Sequence, residues 1–235
     1  MLTKRSKEKE LLDLGSDYYT QEEYDHCLQQ LFRVNKITGI FSHTVKLLKQ
    51  FPNTISLADV GCGGGLFLLH LSTHFPEMKM VGIDISEEAI KLAQNELQRW
   101  KKDQFTPNIE FLLQHPDEFI LTKESIDIIL LTLVCHHIED DELILFLKKA
   151  VDATRIALII NDLHRNFIAY WFYKLLSPII FKNRLITHDG LISIQRSFTR
   201  KELQYLLQQA DIKNYQIKWC FPFRWSVTVW KDREG

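Results

Sequence analysis

Four residues at alternating positions, Asp59, Gly61, Gly63 and Gly65, close the apolar run "ISLADV" and open a helical one. Four of the nine glycines of the chain fall between positions 61 and 65. Glycine lets a backbone turn sharply and come close to a ligand, and the N-terminus of the following helix offers unpaired N–H groups to a carboxylate. Asp59 offers its charge to an ammonium. A capped strand-to-helix turn is the alternative on these residues alone. About twenty residues on, Asp84 ends "VGID", where an acid can take both hydroxyls of a ribose or merely start a helix. Farther along stand His136 and His137 in "LVCHHIED", then Asp162 and His164 in "NDLHRN". Imidazole titrates near neutral pH and suits proton abstraction. A histidine at a strand end is also commonly just hydrogen-bonded to its surroundings.

Three nucleotide-binding loops compete for "DVGCGGG". A P-loop needs Lys-Ser/Thr after its glycines, and none follows here. The dinucleotide pattern GxGxxG needs glycine at position 66, which is Leu66. The pattern Asp-x-Gly-x-Gly-x-Gly is met in full, and here the chain resembles the class I S-adenosylmethionine-dependent methyltransferases. The resemblance implies S-adenosyl-L-methionine as cofactor, with its methionine end at Asp59, Gly61, Cys62, Gly63 and Gly65. It places the ribose on Asp84, adenine on Ile85, and the cofactor floor along Thr132 and Leu133 to Cys135. Many relatives carry an acid where His115 stands, so Gln114 or His115 is the expected adenine contact. "LVCHHI" resembles the small-molecule branch that includes quinone-biosynthesis enzymes, not the Asn-Pro-Pro-Tyr motif of nucleic-acid methylation. His137, His136 and His164, in that order, are candidate bases, and Asp162 could orient one of them.

These groups need a scaffold. From about Thr54, short apolar runs alternate with helical periods: "ISLADV", "KMVGID", "NIEFLL", "SIDIILLTLV" and "IALII". Such alternation predicts βαβ units and a parallel sheet covered on both faces. "YQIKWCFPFRWSVTVW" reads as two more strands around Pro222. The expected architecture is an α/β, Rossmann-like fold with a mostly parallel seven-stranded sheet and a C-terminal antiparallel hairpin. Capping boxes at Thr20/Glu23 and Thr199/Glu202 and a cap at Ser86 mark helix starts. The expected organisation is a helical cap over residues 1–50 and a methyltransferase domain over 51–235, with an inserted substrate cover at about 163–198.

Composition narrows the partners. With 29 basic and 30 acidic residues there is no global field for nucleic acid or anionic lipid. The four cysteines form no CxxC pair, which points away from a metal site or a disulfide framework and toward a reducing cytoplasm. No run of about 18 apolar residues suggests a membrane span. Within the insertion, "FIAYWFYKLLSPII" reads as a helix buried all round or as the lining of an apolar pocket. Its basic flanks, Arg165, Lys182 and Arg184, would suit peripheral contact with a membrane. The resemblance extends to bacterial enzymes of polyketide and phenolic-lipid pathways and implies a small, apolar aromatic acceptor. Two rival readings stand beside it: methylation of RNA or protein, with Lys182, Arg184, Arg196, Arg200 and Lys201 tracking phosphates, and a non-catalytic subunit that only binds the cofactor.

Overall fold

The apolar runs become the strands of one sheet. The computed structural model describes residues 2–102 and 107–231. Strands β1 (Ser56–Val60), β2 (Lys79–Asp84), β3 (Ile109–Leu113), β4 (Ile126–Thr132) and β5 (Thr154–Leu163) run parallel. A hairpin of β6 (Tyr215–Cys220) and β7 (Arg224–Trp230) adds through β7, antiparallel to β5. The order is β3-β2-β1-β4-β5-β7-β6, the expected seven-stranded arrangement. Strand order reverses between β1 and β4, and in open α/β sheets that point forms the ligand crevice.

Eight α-helices surround the sheet among the described residues: α1 (Gln21–Ile37), α2 (Ile40–Leu48), α3 (Leu66–His74), α4 (Glu87–Lys102), α5 (Asp140–Ala153), α6 (Phe167–Ile180), α7 (Arg184–Arg196) and α8 (Arg200–Gln209). Successive strand residues point to opposite faces, and the core divides accordingly. Ile129, Leu131 and Ile160 pack with Leu143 and Leu147 of α5 and Leu203 and Leu206 of α8. Ile128, Leu130 and Ile159 pack on the other face with Leu48, Leu68, Leu71 and Ile90. Burying each such side chain is worth roughly 1.5–3 kcal/mol. Both capping boxes form, and Ser86 Oγ accepts from Ala89 N–H at 3.1 Å.

Between β5 and α8, over the residues expected as a substrate cover, stands the pair α6 and α7. Asn166 and Asn183 cap them through side-chain oxygens. Tyr173 of α6 donates to the Ile186 carbonyl of α7 at 2.7 Å. That approach needs Gly190, where a Cβ would lie 2.2 Å from the Tyr173 hydroxyl oxygen. Leu185 and Ile186 in turn pack on Cys27 of α1. Of the two readings of this segment, the helix buried all round is the one the burial pattern contradicts. Ser177 alone in α6 is buried, while Phe167, Phe172, Leu175 and Ile179 are between 61 and 80% exposed. Composition shows that a helix is apolar but not what covers it.

Ahead of α1, residues 2–14 run as a strap across α7. Leu11 and Leu12 N–H groups donate to the two carboxylate oxygens of Asp189 at 2.9 and 3.1 Å. Ser6 N–H donates to the Gln195 carbonyl at 3.0 Å. Arg5 donates from Nε to the Arg196 carbonyl at 2.7 Å, and its guanidinium sits 4.4 Å over the Phe198 ring. No helix among the described residues is long and apolar enough to cross a membrane.

Candidate active site

The glycine turn leaves β1 at the switch point. Gly61 has φ +79°, and a Cβ there would strike Val134 at 2.4 Å, so the turn packs directly on the chain leaving β4. Gly61 and Cys62 N–H groups both donate to the Ile83 carbonyl of β2, at 2.7 and 3.1 Å. Asp84 holds the turn from the side: one carboxylate oxygen accepts from Gly63 N–H at 2.8 Å and the other from Ser86 N–H at 2.9 Å. Gly65 begins α3 from a left-handed conformation.

Asp59 is buried, and its Oδ1 has no hydrogen-bond partner in the protein. Burial, with the nearby Asp84 charge, pushes its pKa up to about 7. Burial also raises Asp84, opposed by its backbone donors. An unsatisfied buried acceptor costs about 1–3 kcal/mol, more when charged. A cationic N–H donor on a ligand would satisfy Asp59 and relieve its repulsion with Asp84. Thr132 Oγ1, at the end of β4, is likewise buried without a partner. These two orphaned atoms and the open glycine turn fit the ammonium and carboxylate ends of an amino-acid-type cofactor.

The other residues expected at this edge are arranged unequally. Ile85 stands exposed just beyond β2. Gln114 is buried, and its side-chain oxygen accepts from Ile120 N–H at 2.9 Å, so it ties down the loop after β3. His115 is exposed beside Asp117, 3.7 Å away. Leu133 turns the chain with φ +61°, its N–H donating to the Asn161 carbonyl. Cys135 departs from the expected cofactor floor: it turns into the core with Leu143 and Leu147. The register explains why, because Leu133 interrupts the strand and a 3-10 turn over Cys135–His137 rotates the sulfur away.

That turn carries a cluster of two histidines and three acids. His136 is buried; its Nδ1 donates to Asp162 Oδ1 at 2.7 Å and its backbone N–H to Asp162 Oδ2 at 3.2 Å. Its Nε2 lies 3.5 Å from Glu10 Oε1. Burial opposes the imidazolium, but Asp162 and Glu10 overcome it and hold the pKa up at about 10. Both acids shift down: burial would raise them, and His136 outweighs it. His137 packs its ring 4.2 Å from that of His136 and donates from Nδ1 to Asp13 Oδ2 at 3.1 Å. Arg196 clamps the turn by donating to the His136 and His137 carbonyls at 2.8 and 2.7 Å. His164 lies apart, its Nδ1 accepting from Trp219 Nε1 at 3.3 Å, and burial with the Arg165 charge lowers its pKa.

Glu10 and Asp13 are the members of this cluster that the sequence pattern did not reveal. Glu10 precedes and Asp13 lies within a 3-10 turn over Leu11–Leu14, too short to show a period, and the one trace is a pair of acids flanking the apolar Leu11 and Leu12. Of the basic residues that could track phosphates, Arg196 is buried in its clamp and Arg184 pairs with Glu23 at 2.8 Å, while Lys182, Arg200 and Lys201 are exposed.

One cavity of about 850 Å³ joins these parts. Asp59, Gly61, Cys62, Gly63, Thr132 and Leu133 line one end; Glu10, His136, His137 and His164 line the middle. Phe172, Tyr173, Leu176 and Ile180 of α6 form the far wall with Phe221 and Phe223. Asp84, Ile85, Gln114, His115, Gly65 and Asp162 lie outside its lining.

A family model described as a methyltransferase domain matches residues 53–211. No curated protein is a significant match in sequence. Among solved structures, the chain is similar to a SAM-dependent methyltransferase from Aquifex aeolicus (19% identity, TM-score 0.59, 80% of this chain and 88% of that one). It is similar to the magnesium protoporphyrin IX methyltransferase of Synechocystis, solved with bound SAH (16% identity, TM-score 0.61, 87% of each chain). It also resembles human N-acetylserotonin methyltransferase in complex with SAM (18% identity, TM-score 0.65), spanning 91% of this chain and 57% of that longer one. With this sheet order, this glycine turn and a family model over most of its length, the chain belongs to the class I S-adenosylmethionine-dependent methyltransferases.

Proposed function

We propose that the enzyme methylates a hydroxyl of a small, apolar aromatic acceptor such as an alkylated phenol or quinol. The observation that carries this reading is the single cavity running from the glycine turn, past His137, to an aromatic and aliphatic wall. Such walls bind apolar rings with a few convergent polar groups to orient them. The apolar wall does not suit a charged macromolecular acceptor, and a subunit that only binds cofactor would have no use for the histidine cluster.

When bound, S-adenosylmethionine supplies a methyl group already activated on its sulfonium. Asp59, the glycine turn and Thr132 would hold its amino-acid end, and Asp84 its ribose. The chain's own residues then have two tasks, alignment and proton removal. Asp13 accepts from His137 Nδ1, which leaves Nε2 with its lone pair free to take a hydroxyl proton. His136, held protonated by Asp162 and Glu10, cannot act as a base near neutral pH and instead fixes the turn that presents His137. His164, pushed toward its neutral form, is a weaker candidate base, because its Nδ1 lone pair already accepts from Trp219 Nε1 and its Nε2 then carries the proton. The apolar lining excludes water from the acceptor.

A matched series of phenols of increasing alkyl length tests the assignment, with S-adenosylhomocysteine production as readout. Each buried methylene should add up to about 0.8 kcal/mol to the free-energy equivalent of kcat/KM until the wall is filled. A flat response, or preference for a hydrophilic charged acceptor, would overturn it.

A further inference from the structure

We propose that the outer face of α6 docks on an anionic lipid surface, so that the cavity opens toward the bilayer. This goes beyond the acceptor assignment and does not depend on it. The helix has two apolar faces. One, with Tyr173 and Leu176, lines the cavity. The other, with Ile168, Trp171, Leu175 and Ile179, is exposed. Solvated helices of a monomer carry charge on the outer face; here the outer face has a single cation, Lys174, lying 5.0 Å over the Trp171 ring. Phe221, at the tip of the β6–β7 hairpin, is also exposed and lines the same cavity, so the apolar rim continues across the mouth.

The charge pattern names the partner. From Leu163 to His188 the chain has no Asp or Glu, although acids and bases balance over its whole length. Lys174 and Lys182 are exposed in that stretch, and Arg184, also exposed, is paired with Glu23. An apolar face bordered by lysines, on a segment that carries no acid of its own, suits lipid headgroups of negative charge. A second copy suits it less, because two such faces would bring like charges together across a symmetry axis. At 14 residues α6 is too short to span a bilayer, so it would lie in the interface.

The test is co-sedimentation of the full chain with vesicles of phosphatidylcholine alone and of phosphatidylcholine with phosphatidylglycerol. The protein should pellet with the mixed vesicles, less with the neutral ones, and should be released by salt. Ile168→Gln, Leu175→Gln and Ile179→Gln together should lower that binding by about tenfold or more. These side chains project outward, so the melting temperature and turnover on a water-soluble acceptor should hold. If the triple variant fails to fold, Lys174→Glu with Lys182→Glu decides through the same loss. Protein that stays in solution with both vesicle types would overturn the proposal. So would variants that pellet like the parent, or sedimentation equilibrium showing a dimer that the apolar-to-Gln variant disperses.

Discussion

The His136–Asp162 pair should make the stability of this protein fall with rising pH through the range where most proteins are flat. His136 is held up to about 10 against an ordinary 6.5. A raised histidine contributes its full stabilisation below 6.5, where the unfolded chain is also protonated, and loses it as pH rises through about 10. Between about pH 7.5 and 9 His136 keeps a proton that it has released in the unfolded state, and toward pH 9 the cysteine thiols, raised by burial, add a loss of the same sign in parent and variant alike. The slope due to His136 is about −1.4 kcal/mol of unfolding free energy per pH unit. Asp162→Asn removes the charge that creates the shift, and breaking a buried pair from one side costs about 3–5 kcal/mol near neutrality. Urea melts of parent and variant at pH 7.5, 8.3 and 9 measure both quantities. The parent should lose stability steadily, and the variant should start lower and lose less. A flat parent profile, or a variant within about 1 kcal/mol of the parent at pH 7.5, would refute the charged-pair reading.

Asp84→Ala removes the acceptor of Gly63 N–H and the expected ribose contact, and should weaken S-adenosylmethionine binding on the order of 10- to 100-fold by calorimetry. Because Asp59 titrates near 7 and an ammonium prefers the carboxylate, that affinity should tighten as pH rises through about 7 and then level off. In Asp59→Asn the same titration series should be flat over that range. His137→Ala should lower kcat by about 10²–10⁴ with cofactor affinity held within a few-fold. Asp13→Asn should also lower kcat, by a smaller factor, and move its pH profile; unchanged kcat and profile would remove Asp13 from the site.

Periodicity and caps were legible because they are local. Thr20 with Glu23 and Thr199 with Glu202 form their boxes from residues three apart, and the strand runs alternate faces as written. Strand β5 extends past "IALII" to Leu163 because β7 pairs with it as far as Leu163 opposite Arg224, a contact across about sixty positions that no local pattern encodes. The glycine turn and Asp84 were legible for a second reason, that backbone chemistry at a strand end admits few residue types. Glu10 and Asp13 were not, since a 3-10 turn is too short to show a period. Nor was the exposure of α6: Leu175 and Ile179 have the same composition whether lipid, protein or nothing covers them.

The strap also orders events in time. Leu11 and Arg5 meet partners 178 and 191 positions later, Asp189 and Arg196. During synthesis these residues leave the ribosome well before α7 and stay without these partners until it has been made. Closing so long a loop costs entropy that only the finished α6–α7 pair can offset. The edge formed by β1, β2 and β4 needs none of the strap, so a nascent or refolding chain should be able to capture cofactor before it can remove a proton. On the proposed roles of Asp59, Asp84 and His137, competence to bind and competence to react would therefore be acquired at different stages of folding.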